Sequence, residues 1–235
     1  MKRDHPLDSE TFPPFGGFPM EGLAFLKKLK RNNNRPWFQK HKSDYEDLVR
    51  FPMQSLVASL GEEMRSDAPE IEFNPRRSIF RIYRDVRFSK NKVPYKTNIG
   101  AAFPVRGRKG PTESPGLYLH IEPGQIFIGG GVYMPTGPQL KAIRKKIAAD
   151  PSSFYDVIKD PGFRRMFGGI QGEKLTKAPL GYPKDHPMIE HLRHKQFYVG
   201  LILAEQECLK PGFLMKVTKG FRTAMPLVRW LADIR

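Results

Sequence analysis

At 235 residues the chain is long enough to bury a core, and 39% hydrophobic residues, including 17 Phe and 8 Tyr, exclude a disordered polypeptide. Its 40 Lys and Arg against 24 Asp and Glu give a formal net charge of +16, which favours anionic partners and says little about fold. A single cysteine, Cys208, excludes an intrachain disulfide framework and a cysteine-rich metal site, and no apolar run approaches the roughly 18 residues of a membrane span.

The first residues, with Pro6, Pro13 and Pro14, lack periodicity, so residues 1–14 are expected to form a flexible segment ahead of a single domain over 15–235. Acids and no apolar stretch in Met1 to Glu10 argue against a secretory leader, and a cytoplasmic protein is expected. Leu23, Phe25, Leu26 and Leu29 recur near helical spacing and lead into the turn residues Asn32, Asn33 and Asn34. A second helix starts at Pro36, with Trp37 expected in the core of a helical hairpin; the Asn-rich turn with Arg35, Trp37 and Lys40 is the alternative ligand lip. Pro52 is expected to break or kink this helix before it resumes through Leu56, Leu60 and Met64.

The pattern changes at Asn74. Between Asn74 and Asn98 stand eight Lys or Arg and one acid, Asp85, so +7 of the net charge falls in 25 residues. Arg77, Arg81, Tyr83, Asp85 and Arg87 share one parity of a strand-like run, and Phe80, Ile82, Val86 and Phe88 the other; Arg84 breaks the apolar parity. Guanidinium groups ranked on one face repel one another unless an anion meets them. Ser78 to Phe88 is therefore expected to pair with a strand from Lys96 to Val105, making a hairpin that binds an anion through Arg77, Arg81, Arg84, Arg87 and Lys96. Tyr95 and Thr97 add hydroxyl donors.

After the basic loop Arg106 to Gly116, the run Leu117 to Glu122 alternates, placing Tyr118, His120 and Glu122 on one face. If that strand pairs beside Ser78 to Phe88, His120 and Glu122 meet Arg81 and Asp85, and acid/base catalysis by His120, Glu122 and Asp85 extends the binding reading. A closed network of ion pairs is the structural alternative. Gln125 to Tyr133 is the next strand, its Gly129 to Gly131 run read as a bulge or close packing rather than a phosphate loop. Helices follow from Pro138, with Asp150-Pro151 and Asp160-Pro161 as N-cap signals and Asp185 ahead of Pro187 as a third. His191 and His194 stand three apart without the zinc-protease pattern, and no metal is expected. Gln196 to Ala204 reads as a strand, and Phe213 to Ile234 as a helical region interrupted near Pro226. Cys208, among apolar neighbours, reads as a structural thiol.

The segments FGGFPMEGLAFLKKLKRNNNRPWFQKHKSDYE, NPRRSIFRIYRDVRFSKNKVPYKT, LYLHIEPGQIFIGGGVYMP and GYPKDHPMIEHLRHKQF, in this order, resemble the bacterial and fungal family called domain of unknown function 2461. The resemblance runs from about Phe15 to near the C-terminus and implies one domain; it brings no activity, substrate or cofactor. The residues themselves point to an α+β fold, a central antiparallel or mixed sheet with N- and C-terminal helices. The expected function is binding of a phosphorylated or otherwise anionic ligand. The alternatives are a non-enzymatic single-stranded nucleic-acid binder, using Phe80, Tyr83, Phe88 and Tyr95 to stack on bases, or a scaffold for an acidic protein. No motif specifies a cofactor.

Overall fold

The computed structural model describes residues 12–87, 89–108, 110 and 112–234. Helices flank a four-stranded antiparallel sheet, an α+β architecture. The described residues group into two units, one from Met1–Ala102, Leu119–Phe127 and Ile202–Thr218, the other from Phe103–Tyr118, Ile128–Leu201 and Lys219–Arg235.

In the first unit α1 (Met20–Arg31) buries Leu23, Phe25, Leu26 and Leu29, the stripe that its spacing predicts. Two short helices, α2 (Arg35–Lys40) and α3 (Lys42–Tyr45), lead through a π-helical turn (Glu46–Arg50) into α4 (Phe51–Glu63). The expected break at Pro52 is this wide turn. Proline has no N–H for the carbonyl four residues back, Leu48, and the helix loosens there rather than stopping. Gly22 of α1 lies against that carbonyl, and a Cβ at Gly22 would overlap the Leu48 oxygen. The core residue of α2 is Phe38, 1% exposed, and not Trp37, which is half-buried and stacks on His41 at 4.2 Å between centroids. Helical geometry turns neighbouring residues to different sides: the Trp37 ring lies 5.6 Å from that of Phe25 in α1, and the Phe38 ring 5.6 Å from that of Tyr45 in α3. Packing begins ahead of residue 15: Phe12 is 8% exposed, its ring 6.1 Å from Phe51. Residues 1–11 of the segment expected to be flexible, and Phe88 of the expected apolar parity, lie outside the described residues.

The strands β1 (Ile99–Pro104), β2 (Gly116–Glu122), β3 (Gln125–Val132) and β4 (Phe197–Ala204) follow one another in the sheet in chain order. Four antiparallel neighbours joined in sequence need no crossover.

The second unit holds α5 (Gly137–Ala149), α6 (Pro151–Ile158), α7 (Pro161–Phe167) and α8 (Ile189–Leu192). Asp150 and Asp160 cap α6 and α7 as their Asp-Pro pairs predict, accepting from Ser153 N at 3.1 Å and Phe163 N at 2.8 Å. Asp185 does not cap α8. No side chain caps this helix, which starts only at Ile189 after the turns through 184–188; within those turns His186 Nδ1 accepts from Met188 N at 3.0 Å. The last helix, α9 (Phe213–Ala232), runs unbroken through Pro226. Around that proline Phe221, Ala224, Met225, Leu227 and Val228 are each at most 2% exposed. Burying those side chains outweighs the roughly 3 kcal/mol a helix-interior proline costs. The glycine run is close packing: a Cβ on Gly130 would sit 3.0 Å from the Ala224 Cβ, and Gly131 has φ +130° with the Phe197 carbonyl against it.

Candidate anion-binding site

The basic segment folds back on itself, but not as the regular hairpin its parity suggests. Two isolated antiparallel bridges join its limbs among the described residues, Ile79 with Ala101 and Tyr83 with Tyr95, so the bridges are four residues apart on one limb and six on the other. The surplus falls at Lys96 to Asn98, and the ladder is interrupted there. Around each bridge the backbone pairs: Phe80 N donates to Gly100 O at 2.9 Å, and Lys96 N to Ile82 O at 2.8 Å. The expected alternation of exposure holds on the first limb. Arg81, Tyr83, Asp85 and Arg87 are exposed, while Ile82 is buried and Val86 half-buried.

Tyr95 is fixed from outside the hairpin. Asn33, in the turn between α1 and α2, donates from Nδ2 to Tyr95 O and accepts at Oδ1 from Tyr95 N, each at 3.0 Å. A side-chain amide here replaces a neighbouring strand, satisfying both backbone groups of one residue. Asn34 beside it caps α2, accepting from Trp37 N at 3.0 Å.

Three tyrosines surround the ring of Phe38, with centroids 4.1 Å away for Tyr95, 5.6 Å for Tyr45 and 6.3 Å for Tyr83. The Tyr83 and Tyr95 rings are 5.4 Å apart. Tyr45 is 4% and Tyr95 1% exposed, but neither hydroxyl is among the fully buried polar atoms that lack a partner, so the rings are packed while the oxygens reach the surface of the cluster. Burial pushes the Tyr45 phenol up to about 12, the Glu46 and Tyr83 charges adding to it against the field of Arg50. Burial also raises Tyr95, with Tyr83 adding and Arg35 opposing. All three side chains therefore share one electrostatic neighbourhood, and Tyr45 and Tyr95 stay protonated donors near neutral pH.

The cations of the segment divide into paired and unpaired. Arg87 chelates Asp85 through Nε at 3.0 Å and Nη2 at 2.7 Å, which holds Asp85 down to about 2. Arg77 pairs with Glu72 at 2.8 Å, and Arg84 is half-buried with Nη1 3.5 Å from Val93 O. Arg35, Arg81 and Lys96 have no carboxylate partner among the described residues. Lys96 lies over the Phe80 ring, 5.0 Å from its centroid, and its pKa is lowered by burial and then by Arg81. Thr97 is half-buried within the surplus that interrupts the ladder.

His120 and Glu122 are close to each other, Nε2 to Oε1 3.6 Å, with His120 stacked on Phe127 and its pKa lowered by burial against the pull of Glu122. They are not brought beside Arg81 and Asp85. The limb carrying those residues pairs with the start of β1, and β2 pairs with the other side of β1, so one strand intervenes. The tyrosine cluster instead recruits Asn33, Arg35 and Tyr45, which lie far from Tyr95 in the sequence. The Asn-rich turn carried a signal as a ligand lip; Tyr45 reads only as an apolar position of a helix.

Among the described residues no group of three or more His, Cys, Asp or Glu is placed to hold a metal ion. A search of curated proteins finds no match to the chain. The helical hairpin, the basic fold-back and the β2–β3 pair all lie within the stretch 21–230 matched by one family, and the chain belongs to that family, described as conserved hypothetical protein (DUF2461).

Proposed function

We propose that the protein binds a phosphorylated or otherwise anionic small molecule on the first unit, at the hydroxyls of Tyr45, Tyr83 and Tyr95 beside Arg35. The observation that carries this reading is the pair of packed tyrosines, Tyr45 and Tyr95, whose hydroxyls are not among the fully buried polar atoms and take no hydrogen bond from the described residues, so that they are open to a ligand. A ligand oxyanion supplies acceptors that several neutral donors and a guanidinium can share. Arg81 and Lys96 add uncompensated positive charge on the same hairpin. The paired Arg77 and Arg87 serve the fold-back itself. Acid/base catalysis by His120, Glu122 and Asp85 is no part of this reading, since Asp85 is chelated by Arg87 and β1 separates the other two. A cytoplasmic setting, where phosphorylated metabolites are held, accords with the buried free thiol of Cys208.

Calorimetric titration with ribose 5-phosphate and orthophosphate tests it. Arg35→Gln should weaken binding by about 1–3 kcal/mol, the scale of a charge-assisted hydrogen bond. Absence of binding to the wild-type chain, or affinities indifferent to Arg35→Gln and Tyr95→Phe alike, would sink the proposal.

A further inference from the structure

Tyr83 is more than a site for a bare oxyanion needs. Its charge is felt by Tyr45 and Tyr95, and its ring meets Phe38 edge-on, yet 45% of the residue is exposed. Tyr45 and Tyr95, around the same phenylalanine, are covered. An exposed aromatic ring adjoining an anion site offers a flat surface on which a nucleobase stacks. Arg81, exposed and without a carboxylate partner among the described residues, shares the strand parity of Tyr83 two residues away, a separation of about 7 Å. A guanidinium so placed can itself lie against a base or hydrogen-bond its edge. Because Tyr83 belongs both to the hydroxyl cluster and to the exposed face, a ligand using both must carry its anionic and planar parts within about one sugar.

We infer that the ligand is a nucleoside monophosphate, its phosphate at the hydroxyls of Tyr45 and Tyr95 and at Arg35, its base on the exposed ring of Tyr83. This rests on the anion-binding reading and deepens it. The orientation follows from chemistry: the hydroxyl donors take the charged end, which can accept several hydrogen bonds, and the open ring takes the end that has a π-face.

Titrations of the full chain with AMP, ribose 5-phosphate and adenosine decide it. AMP should bind about ten-fold or more tighter than ribose 5-phosphate, the scale of one base–aromatic stack. Tyr83→Phe, which keeps the ring, should preserve that ratio, and Tyr83→Leu should bring it close to one, whatever either does to ribose 5-phosphate itself. Equal affinity of the wild-type chain for AMP and ribose 5-phosphate overturns the nucleotide inference and leaves anion binding standing, as does a ratio that survives in Tyr83→Leu. Failure of the wild-type chain to bind ribose 5-phosphate and AMP alike overturns both. Circular dichroism of the variants separates loss of stacking from loss of fold.

Discussion

Removing the hydroxyl of a buried tyrosine usually destabilises a protein because a hydrogen bond goes with it, and Tyr95 should be an exception. Its ring packs on Phe38 while its hydroxyl has no partner among the described residues. Tyr95→Phe should therefore change the unfolding free energy from urea titration by less than about 0.5 kcal/mol while lowering anion affinity by about 1 kcal/mol. Loss of stability without loss of affinity would make the hydroxyl structural. His194 gives a second residue-scale expectation. It is 3% exposed, and burial, with the Lys174 and His191 charges acting the same way, holds it down to about 4. The unfolded chain then binds more protons than the folded one between about pH 4 and 6.5, so stability should be lost as pH falls through that window. The loss from this residue is on the order of 3 kcal/mol. Urea titrations from pH 7.5 to 4.5 should show a flatter slope in His194→Phe than in the wild type; equal slopes would remove His194 as the cause. Neither residue announces itself in sequence, since a lone Tyr or His looks the same whether its polar atom is met or not.

Elements were legible wherever a local rule governed them. The α1 stripe, the Asp-Pro caps of α6 and α7, and the alternating run that became β2 each depend on residues a few positions apart. The errors have the opposite character. Pro226 reads as an interruption because a proline's local cost is visible and the burial of its neighbours in α9 is not. The fold-back from Ser78 reads as a regular hairpin because parity predicts exposure, and it did, but parity says nothing about two surplus residues on the opposing limb. The element-scale prediction concerns what holds that irregular ladder. Asn33→Ala removes both hydrogen bonds to the Tyr95 backbone and should cost about 1–3 kcal/mol, with faster amide exchange at Tyr95 than at Ile121 of β2. Unchanged exchange at Tyr95 would mean that the Tyr83 bridge alone suffices.

On the scale of the whole molecule, a net charge of +16 draws any polyanion, and attraction by itself distinguishes nothing. Salt dependence does. A compact site for one phosphate group of a mononucleotide, which carries no condensed counterions, should show only a shallow fall of log affinity with log salt, whereas a groove following single-stranded nucleic acid adds about 0.7 per phosphate contacted. Titrating AMP and a twelve-nucleotide single strand at several salt concentrations should leave AMP binding measurable at physiological salt and the oligonucleotide no tighter per site. An oligonucleotide that binds far more tightly there, with loss in Tyr83→Leu, would favour the nucleic-acid alternative. By itself the sequence determined the α+β class, the basic fold-back with its exposed parity, and the absence of disulfides, because charge density, alternation and cysteine count are properties of residues close together or simply counted. Only the tertiary structure decided which cations remain unpaired and that Asn33, Arg35 and Tyr45 join Tyr95. Ion pairing and hydroxyl satisfaction depend on atoms brought together from distant parts of the chain, and no local pattern encodes those distances.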